Sequence, residues 1–438
     1  GARRLWNARS PQTAPQIPRF LTPAKVQHAL AETEASLERL WAESESESLL
    51  SPYNLQLRGI ENSLKRQTLD LQIVGSRGVG KTALRQRLMA QPAAEFRQKW
   101  AIAPLDEPEI DLSDLSVQEW PASIAQADVV LFTVQGDLTQ SEWLALQHLH
   151  SQRKRILLLL NKQDQSLPSH IDLVMAQLKQ RVQDTIDAAD VLAIAANPQP
   201  IKVRRHQPDD TYRDTWETPE PQLHPLLTRL QHLATQEISQ LVLQRAYQQT
   251  LNLQQAIQTD LNRIRRDRAM PLIERYQWIA AGTAFANPLP SLDMVATAAI
   301  TGKLVQELAD VYRMNLSFNR AVEIAEVFVA TLLRMGIVEA SSQLLSTLLK
   351  GSAATFAVGG VLQGISAAYF TRIAGLSLIE LFETQMVSPT QTGSADNHYI
   401  ESIIKRIFQQ HQKIEIAKAL VQQTLTRLPL ANSQIRMA

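Results

Sequence analysis

The sequence predicts a parallel, doubly wound α/β sheet followed by an all-helical region. Three observations carry this fold class. Between residues 69 and 195, short apolar runs alternate with segments of helical periodicity, the pattern of a sheet with crossover helices. The first of these runs ends in a glycine-rich turn. From residue 223 onward nearly every stretch has helical spacing. Only 15 of 438 residues are Gly, about half the usual ~7%, which also favours helix.

The elements follow in order. Residues 23–48 place Val26, Ala29, Leu30, Leu37, Leu40 and Trp41 at helical spacing, with Thr33 filling the gap. Thr22 before Pro23 is an N-cap followed by Pro at the first helical position. Ser51-Pro52 predicts a break, and 53–66 a second helix, giving a helical hairpin. Leu69–Gly75 alternates and reads as a strand, and 80–91 as a helix. Trp100–Leu105 is a short apolar run. Asp128–Gln135 (DVVLFTVQ) and Ile156–Leu160 (ILLLL) are continuous apolar runs, as expected of strands buried on both faces. Residues 139–152 and 168–186 are helical, and Val191–Ala195 is the last strand. Residues 198–222 hold five Pro and many charges and read as a loop. Leu223–Ile273 is a long helical repeat, 276–383 is more apolar, 385–397 is a linker, and His398–Arg427 is an amphipathic helix. The expected organisation is an arm and hairpin over 1–67, an α/β domain over 68–200, connecting segments over 201–275, a helical domain over 276–384, and a linker with a final helix over 385–438.

Composition narrows the function. Lys plus Arg is 44 and Asp plus Glu is 43, a net charge of +1. That balance argues against coating nucleic acid by bulk charge. Cys is absent, which removes disulfides, zinc fingers, iron–sulfur clusters and a thiol nucleophile. Residues 1–20 contain four Arg and no apolar run of signal-peptide type. Gly351–Thr371 is 21 residues without charge, long enough to cross a bilayer but weakly hydrophobic. His148 and His150 lie two apart on a helical stretch, so they do not share a face.

Gly75-Ser76-Arg77-Gly78-Val79-Gly80-Lys81-Thr82 fits G-x-x-x-x-G-K-[ST]. The glycines let backbone N–H groups converge on an anion, and the following helix adds its positive dipole end. Lys81 is placed to reach the β- and γ-phosphates, and the Thr82 hydroxyl to bind Mg²⁺. Asn161-Lys162-Gln163-Asp164 follows the ILLLL strand, 80 residues after Lys81. A carboxylate at Asp164 accepts from the ring N–H and exocyclic amine of guanine, a pair of donors adenine lacks. Asn161 either bonds the base edge or braces the loop, and the Lys162 stem covers one face. Ala195-Ala196-Asn197, after the last strand, sits where a backbone N–H meets the guanine carbonyl; Ala195 and Ala196 are the residues expected to supply it.

Residues 69–197 resemble the G domain of P-loop GTPases of the Era and TrmE type. Residues 276–383 resemble the helical domain of unknown function in YcjF-like proteins, through Ala286-Asn287-Pro288-Leu289-Pro290-Ser291-Leu292-Asp293, Lys303–Ala309 and the Gly/Ala-rich run 351–374. A helical hairpin before the G domain recurs in that family, which is associated mainly with cyanobacteria, and the layout is dynamin-like by analogy. The resemblance implies GTP or GDP with Mg²⁺ as ligands, Thr82 and Asp106 on the metal side, and action at the cytoplasmic side of a membrane, peripherally or through an inserted hairpin.

The sequence also departs from that pattern. Lys81 to Asp106 is only 25 residues, and 83–112 contains no Ser or Thr, so the switch hydroxyl that completes Mg²⁺ coordination has no candidate. Asp106-Glu107-Pro108-Glu109 carries Glu where the γ-phosphate-sensing Gly is expected. Arg77 puts a large side chain in the loop. Very slow intrinsic hydrolysis follows, rising if self-association completes the site. The alternatives are a non-hydrolysing pseudo-GTPase scaffold and an RNA or ribosome-assembly GTPase; no RNA-binding motif supports the latter, and nucleic acid is not an expected partner. Arg263, Arg265, Arg266 and Arg268 precede an apolar stretch, an arrangement suited to anionic headgroups. Gly360, Gly364 and Ala368 form a small-residue stripe that allows close helix approach.

Overall fold

The computed structural model describes residues 21–91, 98–102, 110–111, 120–206, 212–286, 290–335, 359–387 and 397–411. It is an α/β domain with a parallel sheet, together with a helical region, as the sequence predicts. Contacts divide the chain into two units. One combines the chain up to Glu38 with Glu47–Gln255, and the other combines Arg39–Ser46 with the chain from Ala256.

In the first unit, helix α1 (Pro23–Ser44) opens at Thr22, whose Oγ1 accepts from Lys25 N. The break before α2 (Glu47–Ser63) lies at Glu45, not at Ser51-Pro52. Glu45 adopts φ 48°, the left-handed conformation that ends helices. Pro52 sits inside α2 and forgoes one intrahelical hydrogen bond.

The sheet comprises β1 (Leu69–Gly75), β2 (Trp100–Ile102), β3 (Ile110–Asp111), β4 (Val129–Val134), β5 (Arg155–Leu160) and β6 (Val191–Ala193). Its order is β2-β1-β4-β5-β6, with β3 also pairing β1, and every pair is parallel. The helices are α3 (Lys81–Met89), α4 (Ala122–Gln126), α5 (Gln140–Ser151) and α6 (Pro168–Val182). The apolar runs have a simple cause. Leu69, Leu71, Ile73, Val129, Leu131, Leu157 and Leu159 enter one core with Leu84 and Leu88 of α3. Val74, Val130, Phe132, Val134, Ile156, Leu158 and Leu160 enter another with Leu146 of α5 and Leu178 of α6. Alternate residues face opposite layers and both layers are dry.

The N-terminal ends of the strands are closed by ion pairs. Arg66 and Arg245 both reach Asp70 and Asp128. Asp128 is buried, and its other oxygen accepts from Asp70 N at 2.7 Å. Arg155 and Arg229 hold buried Asp190 at 2.8 and 2.6 Å. Burial pushes the Asp128 and Asp190 carboxyls above their ordinary range, against the pull of these arginines. Lys154 donates to Ala125 O and Ala127 O at 2.6 and 3.0 Å.

Residues 198–222 are not a plain loop. Strands β7 (Ile201–His206) and β8 (Tyr212–Glu217) form an antiparallel hairpin. Arg204–Asp214, Lys202–Asp214 and Arg205–Glu217 ion pairs bridge it. Helix α7 (His224–His232), a π-turn at Leu233–Glu237 and helix α8 (Ile238–Ala286) follow. The 49-residue α8 continues through Pro271 and through 273–276 without a break.

The second unit contains α9 (Pro290–Val311), α10 (Phe318–Arg334), α11 (Gly359–Val387) and α12 (Asn397–His411). Of the expected linker, 388–396 falls outside the described residues, as does the expected final helix beyond 411. Helix α11 holds the one described segment long and apolar enough to cross a membrane, Gly364–Thr384, of mean hydropathy 1.3. It is 67% buried, with Ile365, Ala368, Ile373, Leu378 and Phe382 in one core with Leu304, Leu308 and Phe328.

Candidate functional site

The chain runs from β1 to β2 and β3 on one edge of β1, then returns to β4 on the other. The switch point therefore lies at the C-terminal end of β1, where open α/β sheets bind ligands. Gly75–Thr82 occupies it. Gly78 and Gly80 take φ 81° and 95°, a region that favours glycine. A Cβ on Gly80 would lie 2.5 Å from Asn161 Nδ2, and one on Gly75 2.3 Å from the Thr133 carbonyl oxygen. No side chain caps α3 at Gly80, and the positive dipole end of the helix faces the loop, an arrangement suited to an anion.

Lys81 opens α3 and is 4% exposed. Its Nζ donates to the carbonyls of Gly75 and Ser76, each at 2.9 Å. Ser76 Oγ donates to Glu142 Oε1 at 2.6 Å. Glu142 is buried in the first turn of α5, where its other oxygen accepts from Thr139 N and Oγ1 in a capping box. Val79 is buried, while Arg77 and Thr82 are exposed.

Asn161 follows β5 and is 3% exposed. Its Nδ2 donates to Val79 O at 2.8 Å, and its Oδ1 accepts from Ala196 N at 3.0 Å. Of the two roles open to it in the sequence, Asn161 takes the brace. One buried amide joins the glycine-rich loop, the end of β5 and the turn after β6. Lys162 takes φ 63° and donates to Gln135 Oε1 at 3.1 Å. Asp164 is exposed, and its Oδ2 accepts from the backbone N–H of Gln199 at 2.9 Å.

Two expected donors are engaged elsewhere. Ala195 N–H donates to Gln222 O at 3.1 Å, and Ala196 N–H to Asn161. Both alanines are fully buried. The next amide in the turn is that of Asn197, an exposed residue with no hydrogen bond among the described residues. Nothing in the sequence distinguishes Asn197 from its neighbours; the Asn161–Ala196 register does. Asp106 and Glu109 lie outside the described residues.

The arginine run before the apolar stretch is committed to carboxylates. Arg265 is buried against Glu43 at 2.7 Å, and Arg268 and Arg313 reach the same carboxylate. Arg266 pairs with Glu383 at 2.9 Å and Arg263 with Asp260 at 3.2 Å. All four arginines of the run have a carboxylate partner in the second unit; Arg265 is buried, while Arg263 and Arg268 remain exposed at 63% and 50%. His148 stacks on Trp120 with ring centroids 5.0 Å apart, and burial lowers its pKa. Among the described residues no group of three or more acidic or His side chains clusters as a metal site.

Residues 248–413 match a protein family described as "Domain of unknown function (DUF697)". No curated protein matches the chain. Among solved structures, the chain is similar to the "LeoA bacterial dynamin GTPase from ETEC" at 11% identity, over 92% of this chain and 98% of that one, with a TM-score of 0.25. A superposition at that score establishes neither a shared fold nor a shared activity.

Proposed function

We propose that this chain binds guanine nucleotide, with Mg²⁺, at the C-terminal end of its parallel sheet, and hydrolyses GTP slowly or not at all by itself. The observation that carries the reading is the buried Asn161 amide, which holds the phosphate-type loop and the base-type loop to one another. In this reading the Gly75–Lys81 amides and Lys81 Nζ take the phosphates, exchanging the loop carbonyls for phosphate oxygens. The residues present fit a magnesium ion in one respect: Thr82 places a hydroxyl at the start of α3 that would help hold Mg²⁺, and the ion would supply charge neutralisation to the phosphates. Asp164 reads the two guanine donors, and Asn197 N–H supplies the donor for the base carbonyl. The missing switch hydroxyl and Glu109 support slow turnover. Era- or TrmE-type kinship and a dynamin-like layout belong to this proposal.

Titration calorimetry with GDP, GTP and ATP, with phosphate release measured on the same sample, is the test. GDP is expected to bind and ATP not to. Asp164→Asn should cost about 2–4 kcal/mol of GDP affinity, two charge-assisted hydrogen bonds, and gain relative affinity for xanthosine diphosphate. Equal binding of ATP and GDP by the wild type would overturn the base assignment. A steady rate at or above ~1 s⁻¹ for the dilute protein would overturn slow hydrolysis.

Membrane association, expected from the sequence, loses part of the support of the arginine run. The buried face of α11 favours a bundle helix over a span. Flotation with anionic liposomes tests this, with the protein expected to remain in the unbound fraction.

A further inference from the structure

The β7–β8 hairpin is rooted at both ends on the base-reading loops. Its entry strand begins at Ile201, two residues after Gln199, whose backbone N–H donates to Asp164 Oδ2 at 2.9 Å. Its exit leads to Gln222. There Gln222 N–H donates to Ala195 O at 2.9 Å, Ala195 N–H returns to Gln222 O, and Gln163 Nε2 donates to Gln222 Oε1 at 2.6 Å. Gln163 N–H in turn donates to Ile194 O at 3.2 Å. Three residues of the expected base site or beside it, Asp164, Gln163 and Ala195, are therefore held by the two feet of one inserted arm.

We propose that Gln199 is a positioning residue for guanine recognition, and that through it and Gln222 the 201–217 arm responds to nucleotide. The inference rests on the guanine reading of Asp164. An ionised carboxylate has about four acceptor sites. Gln199 N–H uses one of those on Oδ2, which leaves one more on that oxygen and two on Oδ1. The two guanine donors need one site on each oxygen. The amide thus does not compete with the base. It fixes an otherwise exposed side chain in a single orientation, so less rotamer freedom remains to be lost on binding. Linkage makes the effect reciprocal: whatever the arm contributes to base affinity, the base returns to the order of the arm.

The position offers a clean variant. Gln199 lies between Pro198 and Pro200, so Gln199→Pro extends an existing proline run while deleting the one N–H in question. Gln199→Ala keeps that N–H and serves as the conservative control. Both are first checked for an unchanged circular dichroism spectrum and melting midpoint. Affinities for GDP and IDP are then measured by calorimetry, since hypoxanthine lacks the exocyclic amine and uses a single donor. Gln199→Pro is expected to lose about fivefold in GDP affinity and less in IDP affinity, collapsing the ratio between them, with Gln199→Ala like wild type. Hydrogen exchange read with and without GDP should show slower exchange over 201–206 and 212–217 in wild type and no such change in Gln199→Pro. Wild type that binds GDP, paired with a proline variant of unchanged GDP-to-IDP ratio or an arm insensitive to GDP, would overturn the positioning role alone. Wild type that binds neither GDP nor IDP would overturn the guanine reading and this inference together. Should Gln199→Pro fail the folding check, Gln163→Ala, which removes the one side-chain bond of the exit foot and leaves its two backbone bonds to Ala195, is read by the same exchange experiment; a weaker arm response than wild type is expected, and one equal to wild type would overturn the coupling through Gln222.

Discussion

The two ends of the parallel sheet use charge in opposite ways. At the N-terminal end, Asp70, Asp128 and Asp190 meet Arg66, Arg155, Arg229 and Arg245, side chain against side chain. At the C-terminal end, Lys81 lies on two backbone carbonyls and Asp164 on a backbone amide. A charge bonded to a buried counter-charge cannot leave without stranding its partner. A charge resting on neutral backbone dipoles can exchange them for a ligand. In the proposed reading the difference separates a structural end of the sheet, built on Asp–Arg pairs, from a nucleotide-binding end; Lys154 is the exception at the structural end, resting on two backbone carbonyls as Lys81 does.

Substitutions at each end should therefore have opposite signatures. The largest effect is expected at the floor. Asp128→Ala leaves Arg66 and Arg245 sharing Asp70 alone and the Asp70 N–H without its acceptor, and should cost about 3 kcal/mol of stability, read by urea unfolding, with GDP affinity of the folded fraction unchanged. Next in size, Lys81→Ala, which takes a buried ammonium off two backbone carbonyls, should cost about 1–2 kcal/mol of stability, less than Asp128→Ala, while removing charge-assisted bonds worth about 2–4 kcal/mol of GDP binding. A large stability loss in Lys81→Ala with binding retained would erase the contrast.

The smallest effect sharpens it through pH. Burial, helped by the Arg245 charge, holds the Lys154 ammonium down to about 8, below its ordinary 10.5, with Asp128 opposing. Below about 8 the lysine is charged in both folded and unfolded chains, and its desolvation penalty is fully present. Between about 8 and 10.5 the unfolded chain binds more protons, so stability rises with pH. The expected gain is on the order of 1–3 kcal/mol, at about 1.4 kcal/mol for each tenfold change in proton affinity. Melting midpoints of wild type and Lys154→Gln from pH 7 to 10 should diverge in favour of wild type as pH rises, and parallel curves would contradict it.

The sheet and its loops were legible because residues buried on both faces leave uninterrupted apolar runs, as in DVVLFTVQ and ILLLL, and because Gly75–Thr82 is set by local backbone needs. The hairpin was not. Its strands alternate Ile201 and Val203 with Lys202 and Arg204, and cross-strand ion pairs, invisible in one dimension, hold it. Proline was over-read at Pro52, since the chain turns at Glu45 through a left-handed residue that sequence does not mark. The partners of the arginine run were illegible for a related reason. Its partner Glu43 lies 222 residues before Arg265, beyond any local pattern. At the proposed base end, Asp164 stands out by its motif, whereas the roles proposed for Asn197 and Gln199 belong to backbone amides that every residue but proline possesses.

The hairpin carries a hazard and its safeguard together. Among the described residues its sheet has two strands only, so both outer edges present amides and carbonyls that another extended chain could extend. Trp216 and Tyr212 are 71% and 59% exposed, and such side chains favour that kind of sticking. Against it stand Lys202, Arg204, Arg205, Asp214 and Glu217, which carry the cross-strand ion pairs. An added strand would have to desolvate these charges or part their bridges. The sequence that concealed the hairpin from pattern reading is thus the sequence that guards it against fibril-like assembly.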